Sequence, residues 1–362
     1  IGKQWEGVVS NGLPTPVFNI LKQIVLHQVA TITSDNFTIS ATPLRASAND
    51  KRLEMASQVV NSELRALFKV NKLPNLSRIM MRNAAVDGDG CMFTYFDPDA
   101  PTGLDGIKGA IKTEIVDNTR VLFGNPNSRN VQSQPYIIIW KRRQICDVKD
   151  EARANGLSEE EIQNISADTD DNNSRMDSYV DDKCTVLTKL WRDKKTGTIW
   201  GCEVTKGTVI RKPYDVRTKS YPVTWICWDY VQECYHGQAL ITGLIPNQEF
   251  INKAYAMAML SQMTSAFPTK LFDRTRVTKW TNQVGAQIAV DGSVEGVAKI
   301  LEPAQISPQI AQFINSTIEN TQSLTGATAA ALGNTRPDNT SAIIALQRAA
   351  AIPAEITKQN LY

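Results

Sequence analysis

Gly243-Leu-Ile-Pro-Asn-Gln-Glu-Phe-Ile-Asn-Lys-Ala-Tyr-Ala-Met-Ala-Met-Leu-Ser-Gln-Met263 decides the architecture of this 362-residue chain. Pro246 at the first helical position and Glu249 in the first turn predict a helix that starts here and is ended by Pro268. Between Ala254 and Leu260 that helix is apolar or small on every side, which predicts burial all round. A bilayer crossing needs roughly 20 such residues, so this run is far too short and no membrane span is expected. Two covers are open to it: the rest of one globular core, or neighbouring subunits.

Downstream, 267–303 reads as a compact insert holding Lys270, Arg274, Arg276 and Lys279, then an extended piece over 286–290 and an Asp291-Gly292 turn. A second helix over 307–324 has Pro308 at its first position. Ile310, Phe313, Ile314, Thr317, Ile318, Thr321 and Leu324 share one face of it; Gln309, Gln312, Ser316, Glu319, Asn320 and Ser323 share the other, a wet face almost without charge. The small, polar, Gly-bounded segment 326–341 reads as a loop. It is no phosphate-binding loop, because six residues separate Gly326 from Gly333 and Asn334 stands where Lys belongs. Thr340 or Ser341 then caps a helix carrying Ile343, Ile344, Leu346, Ala349 and Ile352, which Pro353 kinks.

Upstream, the three- and four-residue spacing of apolar side chains predicts helices over 16–32, 49–69 and 74–85. Asp87-Gly-Asp-Gly90 has the start of a calcium loop but lacks the later carboxylate and closing Glu, so it reads as a turn into a strand over 91–96 that Asp97-Pro-Asp99 stops. Strands follow over 107–116, 120–123 and 136–140, then a helix over 147–155 closed by Gly156 and a capping box at Ser158-x-x-Glu161. The Asp-rich stretch 168–182 reads as a surface loop; Asn173 and Tyr179 stand where a calcium-binding loop needs Gly and Glu. Segments 184–192, 198–204 and 208–212 form an antiparallel meander. Buried packing is the expected role of Trp225, Trp228 and Tyr230.

With 39 basic and 37 acidic side chains the net charge is +2, which marks neither a nucleic-acid coat nor an acid-seeking protein. Hydrophobic residues make up 42%, an ordinary globular share that excludes wholesale disorder. Cys91, Cys146, Cys184, Cys202, Cys227 and Cys234 show no CxxC spacing, so neither a zinc site nor a redox pair is indicated. His27 and His236 are the two histidines; Cys234-x-His236 is too close a spacing to signal a dyad.

The order of parts resembles the portal protein family of tailed bacteriophages: an α+β region, a helix, a small insert, a returning helix, a Gly-flanked loop and a kinked helix. The phrases carrying it are Gly243-Leu-Ile-Pro-Asn-Gln-Glu-Phe-Ile-Asn252, Ile300-Leu-Glu-Pro303, and Leu324-Thr-Gly326 through Leu332-Gly333 to Asn339-Thr-Ser341. Phe123-Gly-Asn-Pro126 and Gln134-Pro-Tyr-Ile-Ile138 fit upstream. The resemblance implies a mixed wing of antiparallel strands and helices over 1–242, a stem helix over 243–266 and a clip over 267–306. A second stem helix over 307–325, a tunnel loop over 326–340 and a tunnel helix over 341–362 would follow, with the usual crown absent from this chain. It further implies a virion ring, usually of twelve subunits, assembled in the host cytoplasm and passing double-stranded DNA. Its partners would be a terminase motor, major capsid and scaffolding proteins, and head-completion or tail adaptor proteins, without membrane, cofactor, metal or catalytic residue.

On that reading Gln309, Gln312, Ser316, Glu319, Asn320, Asn334, Arg336, Asn339 and Arg348 are the candidates for the DNA channel, and Arg274, Arg276 and Lys279 for the clip interface. A channel face poor in charge suits a duplex that must slide, since each phosphate neutralised adds salt-dependent affinity. Two other classes stay open: another oligomeric virion component, such as a minor capsid or adaptor protein, and a carboxylate-dependent enzyme.

Overall fold

The computed structural model describes residues 4–10, 12–34, 39–42, 51–101, 108–168, 182–266, 270–277, 279, 281, 287–300, 308–327, 352, 355, 357 and 358. The chain divides into two compact units, Ile1–His27 with Gly243–Pro353 and Gln28–Thr242 with Ala354–Tyr362. Residues 1–27, the start of the expected 1–242 region, cluster with the unit of the late helices. The expected helices appear as α1 (Ile20–Ile32), α2 (Lys51–Val70) and α3 (Leu73–Asp87). Most of the Asp-rich stretch, 169–181, lies outside the described residues.

In the unit built on 28–242, β1 (Asp89–Pro101), β2 (Lys108–Val116) and β8 (Val223–Cys227) form an antiparallel sheet in the order β2-β1-β8. A second antiparallel sheet runs β3 (Val121–Phe123), β4 (Tyr136–Gln144), β5 (Lys183–Arg192), β6 (Ile199–Thr205) and β7 (Thr208–Asp215) in chain order, the predicted meander included. The Asp97-Pro-Asp99 stop fails: β1 continues to Pro101, paired with Lys108, through a register shift after Asp97. Pro98 cannot donate to a ladder, and a bulge is where a strand tolerates one.

Alternation with a period of two decides which face of the second sheet is inside. Val121, Phe123, Ile137, Ile139, Leu190 and Ile199 meet Cys91, Val116 and Val223 of the first sheet in one core, with Tyr221 and Tyr235 filling it. Farther along the same inward face, Cys184, Val186 and Ile210 are covered by Val148 and Ala152 of α4 (Ile145–Ala154) and Ile162 of α5 (Glu159–Gln163). Each Val, Ile, Leu or Phe side chain so removed from water contributes about 1.5–3 kcal/mol. Between the two helices Gly156 takes a φ of 79°, and Ser158 and Glu161 form the predicted capping box. Trp225 packs on Phe123 and Tyr235, and Trp228 is buried, as expected. Tyr230 is 61% exposed, with the Arg129 guanidinium over its ring.

The other unit holds α6 (Ile245–Ala266), the two-stranded ladder β9 (Lys270–Phe272) and β10 (Ala298–Ile300), and α7 (Pro308–Leu324). Pro308 opens α7 as predicted. Pro246 is the second residue of α6, not the first, and Glu249 falls beyond its first turn, because the helix takes in Ile245. Helices mixed with antiparallel sheets are compatible with an α+β fold.

Gly88 ends α3 at a φ of 95°, and a Cβ built there would stand 2.5 Å from the carbonyl oxygen of Gly237. Gly207 has a φ of 90° with open space around it. Gly207→Ala is therefore expected to cost only the left-handed penalty, about 1 kcal/mol, and Gly88→Ala about 2 kcal/mol or more because backbone must also move. Urea unfolding midpoints of the two variants measure the difference.

Candidate functional site

The late helices are held by amides. Gln248, buried on α6, accepts from the N–H groups of Ile20 (3.1 Å) and Leu21 (3.4 Å) at the start of α1. Its side-chain nitrogen donates to the Phe18 carbonyl and to Asn252 Oδ1 (3.0 Å), and Asn252 donates to Gln4 Oε1 at 2.6 Å. The first N–H groups of a helix have no partner within it, so Gln248 caps α1 from across the unit. The Phe18 ring stacks on Tyr255 at 4.2 Å.

Against the other side of α6 lies α7. Asn247 Nδ2 donates to Thr321 Oγ1 at 3.1 Å, and Phe250 meets Phe313 edge-on at 5.5 Å. The hydroxyls of Thr317, Thr321 and Thr325 each donate to the carbonyl four residues back, which lets polar side chains face the packed side of α7 without an unmet donor. Ile314 and Thr321 are buried there.

On α7, Gln309, Gln312, Ser316, Glu319 and Asn320 are all exposed, and Ile310, Phe313 and Leu324 of the apolar face are exposed with them; Glu319 is the helix's one ionisable side chain. Asn334, Arg336, Asn339 and Arg348, predicted for the loop and the following helix, lie outside the described residues. In α6 the expected burial on all sides is met on one side only. Ile251, Ala254 and Ala256 are covered, whereas Met257 and Met263 are 57% and 55% exposed, and Met259 and Leu260 are exposed with them.

Arg274, Arg276 and Lys279 follow β9 in the chain, and each is exposed. Asp273 accepts from the Thr275 N–H (2.9 Å) and hydroxyl (2.6 Å), which holds its carboxyl below the ordinary carboxylate range, and Arg276 Nε lies 3.5 Å from it. Arg276 thus has a partner within the chain. Val277 and Val297 are the buried pair under this turn.

Sequence reading missed two arrangements. The Gln248–Asn252 network is one; its signal was two amides one helical turn apart on an otherwise apolar helix. The other is Asp89, 1% exposed, whose Oδ2 lies 2.6 Å from His236 Nδ1 while its Oδ1 accepts from the Gly237 N–H at 2.7 Å. Cys227 lies beside this pair, and burial pushes its thiol up to about 12. A thiol so raised supplies almost no thiolate near neutrality, so the cluster clasps the turn before α6 instead of forming a nucleophile. Among the described residues no group of three or more His, Cys, Asp or Glu is placed to hold a metal, and no helix is long and apolar enough to cross a membrane.

Comparison with protein-family models matches residues 133–357, well over half the chain, to the family described as Phage P22-like portal protein. The chain belongs to the P22-like phage portal protein family. The match runs from the second sheet through α6, the β9–β10 insert and α7, the segments that carry the described candidate residues of this portal chain. Comparison with curated proteins gave no match.

Two outcomes are expected from these contacts. Gln248→Met leaves the first N–H groups of α1 unpartnered and should lower stability by about 1–3 kcal/mol, read by chemical unfolding of the full chain. Iodoacetamide at pH 8 should label exposed Cys146 in the native chain and Cys227 only after unfolding, read by peptide mass spectrometry.

Proposed function

We propose that this portal chain is one subunit of a ring at a single capsid vertex, through which double-stranded DNA enters and leaves the particle. On this reading 1–242 is the wing, 243–266 and 307–325 the stem, 267–306 the clip, 326–340 the tunnel loop and 341–362 the tunnel helix. The ring, of twelve subunits, would take a terminase motor during packaging, head-completion or tail adaptor proteins afterwards, and capsid and scaffolding proteins at its edge.

The observation that carries the proposal is the pair of open faces on α6 and α7. The first, rich in methionine, is too apolar to face water over a helix of this length; neighbouring copies would cover it. The second bears Gln309, Gln312, Ser316 and Asn320 around one acid, Glu319. Repeated by a ring, such a face offers hydrogen bonds to water and no cation to hold phosphate, so a duplex passes without being retained. Arg336 and Arg348 would supply sparse phosphate contacts from the loop and the helix after it, and Arg274 and Lys279 would dock adaptor proteins or adjoining subunits at the clip.

Negative-stain images of the assembled chain should show top views with a central hole of duplex width; solid particles or sheets would instead favour a minor capsid or adaptor role. Glu319→Lys adds one cation per subunit to the proposed channel. It should leave ring assembly intact and slow DNA packaging, with the defect relieved as salt is raised. Unchanged packaging would remove α7 from the channel.

A further inference from the structure

Among the described residues of the unit built on 28–242, the second sheet is covered on one face only. The inward face carries the core and, over β5 and β7, helices α4 and α5. Register fixes what the other face presents: Leu122 lies beside Ile138, Tyr136 beside Trp191, and Trp140 beside Leu187. Leu122 is 47% and Leu187 38% exposed, and Tyr136 is exposed with them. Soluble chains rarely leave so contiguous an apolar and aromatic surface open unless something binds it.

That open face is also basic. Lys189 Nζ lies 5.1 Å from the Tyr136 ring centre and 5.9 Å from that of Trp191, and Arg120 Cζ lies 5.3 Å from the Trp140 ring centre. Rings and cations are interleaved as in the cores of protein interfaces, where aromatic residues and Arg are enriched. The opposite side of the same layer is acidic. Asp147 and Asp150 of α4 and Glu159 and Glu160 of α5 are exposed there, and Arg153, which contacts Asp150 and Glu159, is the exposed basic side chain among them. One layer thus shows an aromatic, positive surface on one side and a negative helical surface on the other.

We infer that the open face of the β3–β7 sheet, around Tyr136, Trp140, Lys189 and Trp191, docks the acidic α4–α5 face of a second copy of this chain. Two different, complementary surfaces on opposite sides of one layer make a head-to-tail contact, and head-to-tail contacts close into rings or run on as filaments. The inference rests on the ring proposed above and names the surfaces that join its subunits outside the α6 and α7 helices. Apolar and aromatic area supplies the affinity; the charges set direction and exclude sheet-to-sheet pairing, in which like charges would meet.

Charge exchange on the full chain tests it. Arg120→Glu with Lys189→Glu makes both surfaces acidic, and Glu159→Lys with Glu160→Lys makes both basic. Lys189, Glu159 and Glu160 are exposed and Arg120 is partly so, so circular dichroism should match the unaltered chain and melting should fall only slightly, by the loss of the ring contacts and the Arg153–Glu159 pair. Each altered chain alone should lose about tenfold or more of its ring fraction by native mass spectrometry. A chain with all four changes should regain rings, and an equimolar mixture of the two altered chains should give rings in which they alternate. If either altered chain forms rings as readily as the unaltered one, or the fourfold change fails to restore them, the contact is overturned while the ring proposal stands. If the unaltered chain forms no ring under any salt condition, the ring proposal falls and this contact with it.

Discussion

One-sided burial of the β3–β7 sheet is the constraint on which the larger unit depends. Strand side chains alternate strictly, so Ile137, Ile139, Leu190 and Ile199 can enter the core only if Tyr136, Ile138, Trp140 and Trp191 face the other way. A slip of one residue would exchange the two sets and expose the core. The register is held at one end by the shared core with the β2-β1-β8 sheet and at the other by α4 and α5, whose own placement follows from the Gly156 turn and the Ser158 capping box. What the sheet shows to its surroundings is therefore fixed by what it must hide.

The smaller unit rests on different physics. Its described helices are joined as much by amides and hydroxyls as by apolar area: Gln248 to α1, Asn252 to Gln4, Asn247 to Thr321. Hydrogen bonds add little net stability when made and cost more when a buried partner is lost, so such a network specifies one arrangement without making it tight. On the proposed reading, a channel wall polar on the face toward DNA would suit helices whose packing does not rely on a continuous oily seam.

Much of this was legible in the sequence where a local signal and the tertiary demand agree. The helix periodicities, the meander, Pro308, Gly156 and the Ser158 box all appear where short-range chemistry put them. The strand stop at Asp97-Pro-Asp99 failed because pairing with β2 offered a bulge, which local turn propensity does not contain. Burial of α6 on all sides was read from composition alone; the structure of one chain shows that Ile251 and Ala254 are inside and that Met257 and Met263 wait for something else. The Asp89–His236 clasp joins positions 147 apart in sequence, and no spacing rule reaches that far. On α7 the helical period groups the polar side chains as expected, but Ile310, Phe313 and Leu324 of the apolar face are exposed as well, so exposure does not single out the polar face. Which surface of the sheet is left open depended on strand register, which the residues express only once paired.

The cap that Gln248 places on α1 spans 228 positions, because the unit holding residues 4–27 is completed by chain that follows residue 242. Apart from Ala354–Tyr362, the sheet unit is thus an insertion, and both its sheets are synthesised before its host has both halves. Residues 4–21 must wait, uncapped, through the synthesis of both sheets. Long-range closure of this kind is slow, and domains fold as units during synthesis. In the proposed ring, the exposed face of α6 would therefore become available for subunit contacts only after the sheet unit has its structure, which would order assembly in time without a separate control.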